Sequence, residues 1–160
     1  KLGGDRLILL GDLLHCGYEE GFHGGEIWGE AETARILRRH ASVTYAVHGN
    51  CDADEDAKVL GFPLVRGVGL VLDGGHGFVL AHGHHFSPSN PPPLATGDAF
   101  LSGHTHVARA VKRGGHWFVN PGSISLPRGD LPASFILLED GACATWFTLG
   151  GQEIMKRDLV

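Results

Sequence analysis

Four segments of this chain share a pattern in which glycine and polar side chains follow a short apolar stretch. They are Gly11-Asp12, Gly49-Asn50-Cys51-Asp52, His82-Gly83-His84 and Gly103-His104-Thr105-His106. Short apolar runs bounded in this way are typical of buried strands. Open α/β sheets bind ligands beyond the carboxyl ends of their strands, so we expect the polar tips to meet at a sheet edge.

The first 60 residues predict a strand, a helix and a second strand. Residues 6–10 form a short apolar strand, residues 30–40 have the apolar spacing of an amphipathic helix, and residues 42–47 alternate as a second strand. A loop rich in glycine and histidine spans 15–29, and a second short helix is expected near 54–60. This order indicates an α/β fold with parallel strands at its start.

After residue 60 the pattern changes to paired strands separated by turn residues. The turns lie at 73–75, 114–115 and 139–141, and they predict a mostly antiparallel second half. The segment 87–93 contains Pro88 and Pro91-Pro92-Pro93, which predicts a stiff surface loop because a central strand cannot hold these prolines. With 160 residues, no repeat and no linker, we expect a single domain over residues 1–160.

Charge and cysteine content narrow the functional classes. The net charge is −5 and no run of like charges occurs, so there is no strong signal for nucleic-acid binding. No apolar stretch is long enough to span a membrane and no signal-peptide pattern is evident, so we expect a cytoplasmic protein. Cys16, Cys51 and Cys143 are widely spaced, which argues against a disulfide framework or a thiolate zinc site.

The side chains at the four tips are donors suited to a metal ion. Carboxylate, carboxamide and imidazole groups together suit a borderline divalent ion, and the lack of thiolates and of dense carboxylates disfavours structural zinc and calcium. The pattern therefore predicts a catalytic metal site.

The order of these motifs resembles a known superfamily. The tips GD, GNCD, GH and GHTH, followed by Asn120-Pro121-Gly122-Ser123, resemble the calcineurin-like metallophosphoesterases, and the GNCD, GHTH and NPGS forms resemble the bacterial phosphodiesterases of the YfcE type. The resemblance covers nearly the whole chain and implies a two-sheet α/β/β/α sandwich. The NPGS segment is expected to be a turn near the site, since no base lies at a spacing that would activate its serine.

The resemblance also implies a ligand set for two divalent ions, with manganese first and iron, zinc or nickel as alternatives. Asp12 would bridge the two ions, Asn50, His82 and His104 would complete one of them, and His106 would bind the other. In the family the second ion also takes an Asp and a His from a D-x-H motif on the first strand. No D-x-H precedes Asp12, so we expect a further strand and helix upstream of this sequence.

The activity implied is hydrolysis of a small phosphodiester by a hydroxide shared between the two ions. Asp12, Asn50, His82 and His84 are the expected catalytic residues. Many relatives carry a histidine where this chain has Cys51, and that histidine can protonate the leaving group. We expect His84 to replace it, with His48 and His15 as alternatives, and we expect Asp52 to orient a neighbouring ligand.

Two other functions are compatible with the same fold. One is a weakly catalytic or non-catalytic scaffold, since the fold also serves the retromer complex as a protein-binding subunit. The other is a phosphomonoesterase or nucleotidase on the same centre. Intact His82, His104 and His106 favour an enzyme. A homo-oligomer is an open alternative to a monomer.

Overall fold

A computed structural model of the protein describes residues 3–14 and 29–159. Its first part is a small parallel sheet with strand order β1-β2-β3. The elements are β1 Leu7–Leu9, α1 Glu30–Arg38, a 3-10 turn Ala41–Val43, β2 Thr44–Val47, α2 Asp56–Leu60 and β3 Leu64–Val65. The predicted strand, helix and strand are all present, and the predicted 15–29 loop lies almost entirely outside the described residues.

The two helices cover one face of this small sheet. Ala34 of α1 and Leu60 of α2 pack with Phe62 and with Ala46 of β2 in a compact apolar cluster. Acidic side chains occupy the first turn of α1 and basic ones its last turn, which suits the helix dipole. The apolar side chains of the two helices therefore attach them to the small parallel sheet.

The second sheet has five strands in the order β4-β5-β6-β8-β7. They are β4 Gly69–Asp73, β5 His76–Ala81, β6 Ala99–Ser102, β7 Arg109–Arg113 and β8 His116–Asn120. The central strands β5, β6 and β8 run parallel, and the two edge strands are antiparallel to their neighbours. The expected hairpins are present at both edges, and the parallel centre departs from the mostly antiparallel arrangement predicted.

A third sheet is antiparallel and has the order β11-β10-β9. It consists of β9 Ser134–Glu139, β10 Cys143–Thr148 and β11 Glu153–Asp158. The sequence predicted the hairpin of β9 and β10 but not β11. Charged residues occupy four of the six positions of β11, which hides its strand character from a hydrophobic pattern.

The main core joins all three sheets. Val47 of β2, Phe78 and Leu80 of β5, Val119 of β8 and the fully buried Trp146 of β10 belong to one cluster. Alternate residues of the five-stranded sheet form a second cluster on its other face, covered by Phe86 and Leu94, which flank the proline-rich loop. The α/β sandwich predicted from the sequence is thus confirmed.

The carboxyl ends of β1, β2, β5 and β6 carry the four polar tips. The tips of β1 and β2 contact each other directly, and His82 after β5 contacts both. None of the helices in the described ranges is long and apolar enough to cross a membrane. The fold therefore concentrates the polar motifs in one place.

The outer cluster gives a test of this packing. Phe100 is fully buried and meets Phe118 edge to face, whereas Leu72 on edge strand β4 is 75% exposed. We expect Phe100→Ala to lower the free energy of unfolding by about 3 to 5 kcal/mol. Leu72→Ala should change it by about 0.5 kcal/mol or less. Urea unfolding measures both, and equal losses would contradict the assigned core.

Candidate metal centre

The Asp52 carboxylate ties the tips of β1 and β2 together. It accepts hydrogen bonds from the backbone N–H groups of Asp12 at 2.8 Å, Leu13 at 2.7 Å and Gly49 at 2.8 Å. Asp52 is itself buried. Charge-assisted bonds of this kind are among the stronger ones in proteins, so one side chain fixes two loops that are distant in sequence. The sequence predicted that Asp52 orients a neighbouring ligand, and its contact with Asp12 is through the backbone N–H of that residue.

The two loops meet so closely that glycine is required on the β1 side. Gly11 has a φ of 91°, and a Cβ built on it would lie 2.6 Å from the backbone nitrogen of Gly49. Asp12 follows with a φ of 56°, a left-handed conformation that aspartate tolerates better than most residues. This turn aims the Asp12 side chain at the loop after β2, where its Oδ1 accepts the Cys51 N–H at 2.8 Å.

Three potential ligand atoms surround the Nε2 atom of His82. That atom lies 3.1 Å from Oδ2 of Asp12, 3.0 Å from Oδ1 of Asn50 and 3.2 Å from Nδ1 of His104. The donor atoms of Asp12, His82 and His104 all lie within 4.8 Å of one another. Donors on a tetrahedral ion at about 2.1 Å are separated by roughly 3.4 Å, close to these distances.

The hydrogen bond on the far side of His82 determines which nitrogen is free. Its Nδ1–H donates to the Leu10 carbonyl at 2.6 Å, so in the neutral ring Nε2 carries the lone pair and faces the other donors. The donor set of carboxylate, carboxamide and two imidazoles therefore fits a divalent cation in both geometry and chemistry.

The pKa shifts of this pair have a common cause. Burial opposes ionisation of Asp12, but bonds to His82 and from the Cys51 backbone outweigh it and lower the pKa of Asp12. Burial also opposes protonation of His82, yet its bonds to Asp12 and to the Leu10 carbonyl raise its pKa. A positive charge beside the Asp12 carboxylate is thus favoured, and a divalent cation would supply one.

The loop after β6 contributes His104 directly and places His106 nearby. His106 donates its Nδ1–H to the Leu126 carbonyl at 2.9 Å, which leaves its Nε2 free. It is not one of the close donor group. His104 and His106 have φ values of 63° and 60°, and each such left-handed residue costs roughly 1 to 2 kcal/mol. Surrounding contacts must therefore hold this loop.

The residues considered for leaving-group protonation have different positions. The His84 ring lies 5.3 Å from that of His82 and 3.9 Å from that of His85. Burial and the neighbouring His85, His82 and His104 rings lower the pKa of His84. Cys51 touches the site, because its Sγ accepts the Asn50 side-chain N–H at 3.2 Å.

His48 and His15 were the other candidates for this role. Nε2 of His48 is buried without a hydrogen-bond partner among the described residues, and His15 lies outside them. Sequence reasoning did not find the Leu10 and Leu126 carbonyls. A backbone acceptor has no side-chain signature, although Leu10 could be suspected from its place beside the first tip.

Removal of the Asp52 carboxylate should separate the two loops. Asp52→Ala leaves three backbone N–H groups without their acceptor, and we expect a loss of about 2 to 4 kcal/mol in unfolding free energy. Asp98→Ala is the matched control, since that carboxylate accepts one exposed N–H, from Ala95. It should cost about 1 kcal/mol or less. If urea unfolding gives equal losses for the two variants, Asp52 does not have this role.

Known proteins agree with this geometry. A model of the calcineurin-like phosphoesterase superfamily domain matches residues 5–140. Phosphodiesterase YfcE of Escherichia coli K12 is 38% identical over 155 residues, which are 97% of this chain and 83% of that protein.

Solved structures give the same assignment. The structure described as YfcE, a phosphoesterase from E. coli, matches with a TM-score of 0.87 and 32% identity over 98% of this chain and 85% of that one. Vps29 of Entamoeba histolytica complexed with Zn²⁺ shares the fold, with a TM-score of 0.53 and 23% identity over 79% of this chain and 75% of that one. The chain belongs to the calcineurin-like phosphoesterase superfamily and is a hydrolase.

Proposed function

We propose that this protein hydrolyses small phosphodiesters with the help of divalent cations. The observation that carries the proposal is the convergence of Asp12, Asn50 and His104 on Nε2 of His82. The similarity to a protein named phosphodiesterase supports the substrate class. Fold likeness to Vps29 alone does not favour a scaffold role, because Asp12, His82 and His104 lie close enough together to hold a metal ion.

We further propose two cations per site, with manganese first. Asp12, Asn50, His82 and His104 would hold one, and Asp12 with His106 would contribute to the second. Bound cations supply Lewis acidity that activates water and neutralises phosphate charge. Asn50 is uncharged, which keeps the total negative charge of the ligand set low. The backbone of Asp12 is fixed by its hydrogen bond to the Asp52 carboxylate.

The residues near the leaving group suggest a preference among substrates. Thiols are in general weaker acids than imidazolium ions, so a cysteine at position 51 protonates a leaving group less readily than a histidine would. His84 has a lowered pKa and is mainly neutral near pH 7, so it offers an N–H for hydrogen bonding and no extra proton. Activated diesters, whose leaving groups need little protonation, are therefore the preferred substrates in this proposal.

The cation requirement can be tested with one variant and one control. Chelation should abolish hydrolysis of a bis-aryl phosphodiester, and manganese should restore it. His104→Ala removes one donor and should lower kcat/KM by at least about 100-fold, with 10- to 100-fold weaker metal binding. His40→Ala changes an exposed histidine after α1 and should change neither value. Undiminished turnover in the chelated protein would exclude the proposed centre.

Cys51→His tests the substrate preference. A histidine at this position can act as a general acid, an effect worth about 10²- to 10⁴-fold in other enzymes. We expect hydrolysis of unactivated monoesters to rise at least about tenfold relative to activated diesters, with a changed pH profile. Cys143→Ser in β10, away from the site, is the control. An unchanged ratio and pH profile would show that position 51 does not govern leaving-group departure.

A further inference from the structure

Asn120 ends β8 and opens the Asn-Pro-Gly-Ser turn, and its buried side chain contacts the loop that carries His104 and His106. Its Nδ2 donates to the Gly103 carbonyl at 2.6 Å and to Oγ1 of Thr105 at 3.1 Å. Its Oδ1 accepts the Gly122 N–H at 2.9 Å. Both donor positions and the carbonyl oxygen of the amide are thus engaged, so the side chain is not a metal ligand.

The loop needs such a restraint because of its backbone. His104 and His106 both have positive φ, which costs energy for a residue with a Cβ even though histidine adopts it more often than most residues do. The Asn120 side-chain amide donates hydrogen bonds to Gly103 and Thr105, the residues that immediately precede the two histidines. Other hydrogen bonds of the loop include the Gly103 N–H to the His82 carbonyl at 2.8 Å, the Arg128 N–H to the His106 carbonyl at 3.0 Å and the His106 ring to the Leu126 carbonyl at 2.9 Å.

Asn120 is in turn anchored to the interior. Its backbone carbonyl accepts a hydrogen bond from the indole N–H of Trp146 at 2.9 Å, and Trp146 is fully buried in the main core. On the other side of the turn, the Ser134 hydroxyl donates to the Pro121 carbonyl at 2.6 Å. A packed core residue therefore fixes the base from which the Asn120 side chain reaches the loop.

We infer that Asn120 is a positioning residue for the metal centre, which holds the imidazoles of His104 and His106 in ligand geometry through Gly103 and Thr105. The inference rests on the proposed function, in which His104 and His106 are metal ligands. Hydrogen-bonded groups behind metal ligands commonly change metal affinity by 10- to 100-fold when removed.

The test compares Asn120→Ala with Ser134→Ala. Ser134 is also buried, and its hydroxyl donates to the same turn, at Pro121, and not to the loop that carries the histidines. Calorimetric titration with Mn²⁺ should show about 10- to 100-fold weaker binding for Asn120→Ala and a change within about threefold for Ser134→Ala. Equal affinity in wild type and Asn120→Ala would overturn the inference.

A second readout needs no metal. Amide hydrogen exchange over residues 103–107 of the metal-free protein should speed up at least tenfold in Asn120→Ala and stay near wild type in Ser134→Ala. If wild type binds no Mn²⁺ but exchange rises in this way, the proposed function fails while the positioning role of Asn120 stands. Unchanged exchange in Asn120→Ala overturns the positioning role, whatever the metal result.

A milder variant covers the case in which Asn120→Ala does not fold. Thr105→Val removes only the 3.1 Å bond to Asn120 and the weak one from the Val107 N–H. It should shift both readouts in the same direction by about threefold to tenfold. Wild-type exchange and Mn²⁺ affinity in Thr105→Val, with Asn120→Ala unfolded, would count against the inference.

Discussion

The bonds of Asp52 to the backbone of Asp12, Leu13 and Gly49 are the constraint on which the candidate centre depends. A parallel pair of strands brings two loops to the same edge but does not specify their distance. The Asp52 carboxylate fixes this distance, because it accepts hydrogen bonds from N–H groups of both loops. Asp52 thus fixes the backbone of Asp12 relative to the loop that carries Asn50, another proposed ligand.

The centre also depends on packing far from it. Sheets that share no hydrogen-bonded ladder meet in one apolar cluster, and Trp146 in that cluster bonds to the end of β8. Through Asn120 this contact reaches the loop after β6. The proposed ligands Asp12 and Asn50 are therefore held by the helix-covered sheet, and the loop of His104 and His106 is held by the main core. These contacts explain why such short loops keep backbone conformations with positive φ.

Much of this arrangement follows from local patterns in the sequence. Apolar runs ending in glycine and a polar residue predicted the tips, and turn residues predicted three hairpins correctly. The parallel pairing of β5, β6 and β8 could not be predicted, because no local signal records which distant strand a strand will join. The Leu10 carbonyl that orients His82 is 72 positions away and looks like any other peptide group.

The left-handed backbone at His104 and His106 has a consequence for how this loop can evolve. Thr105 between them does not share it, so the loop alternates between two kinds of position. Asparagine, aspartate and histidine adopt positive φ more often than other residues with a side chain, while β-branched residues very seldom do. If both positions hold ligands as proposed, the backbone restricts exchange there mainly to histidine, asparagine and aspartate, all of which offer an atom that can bind a divalent cation.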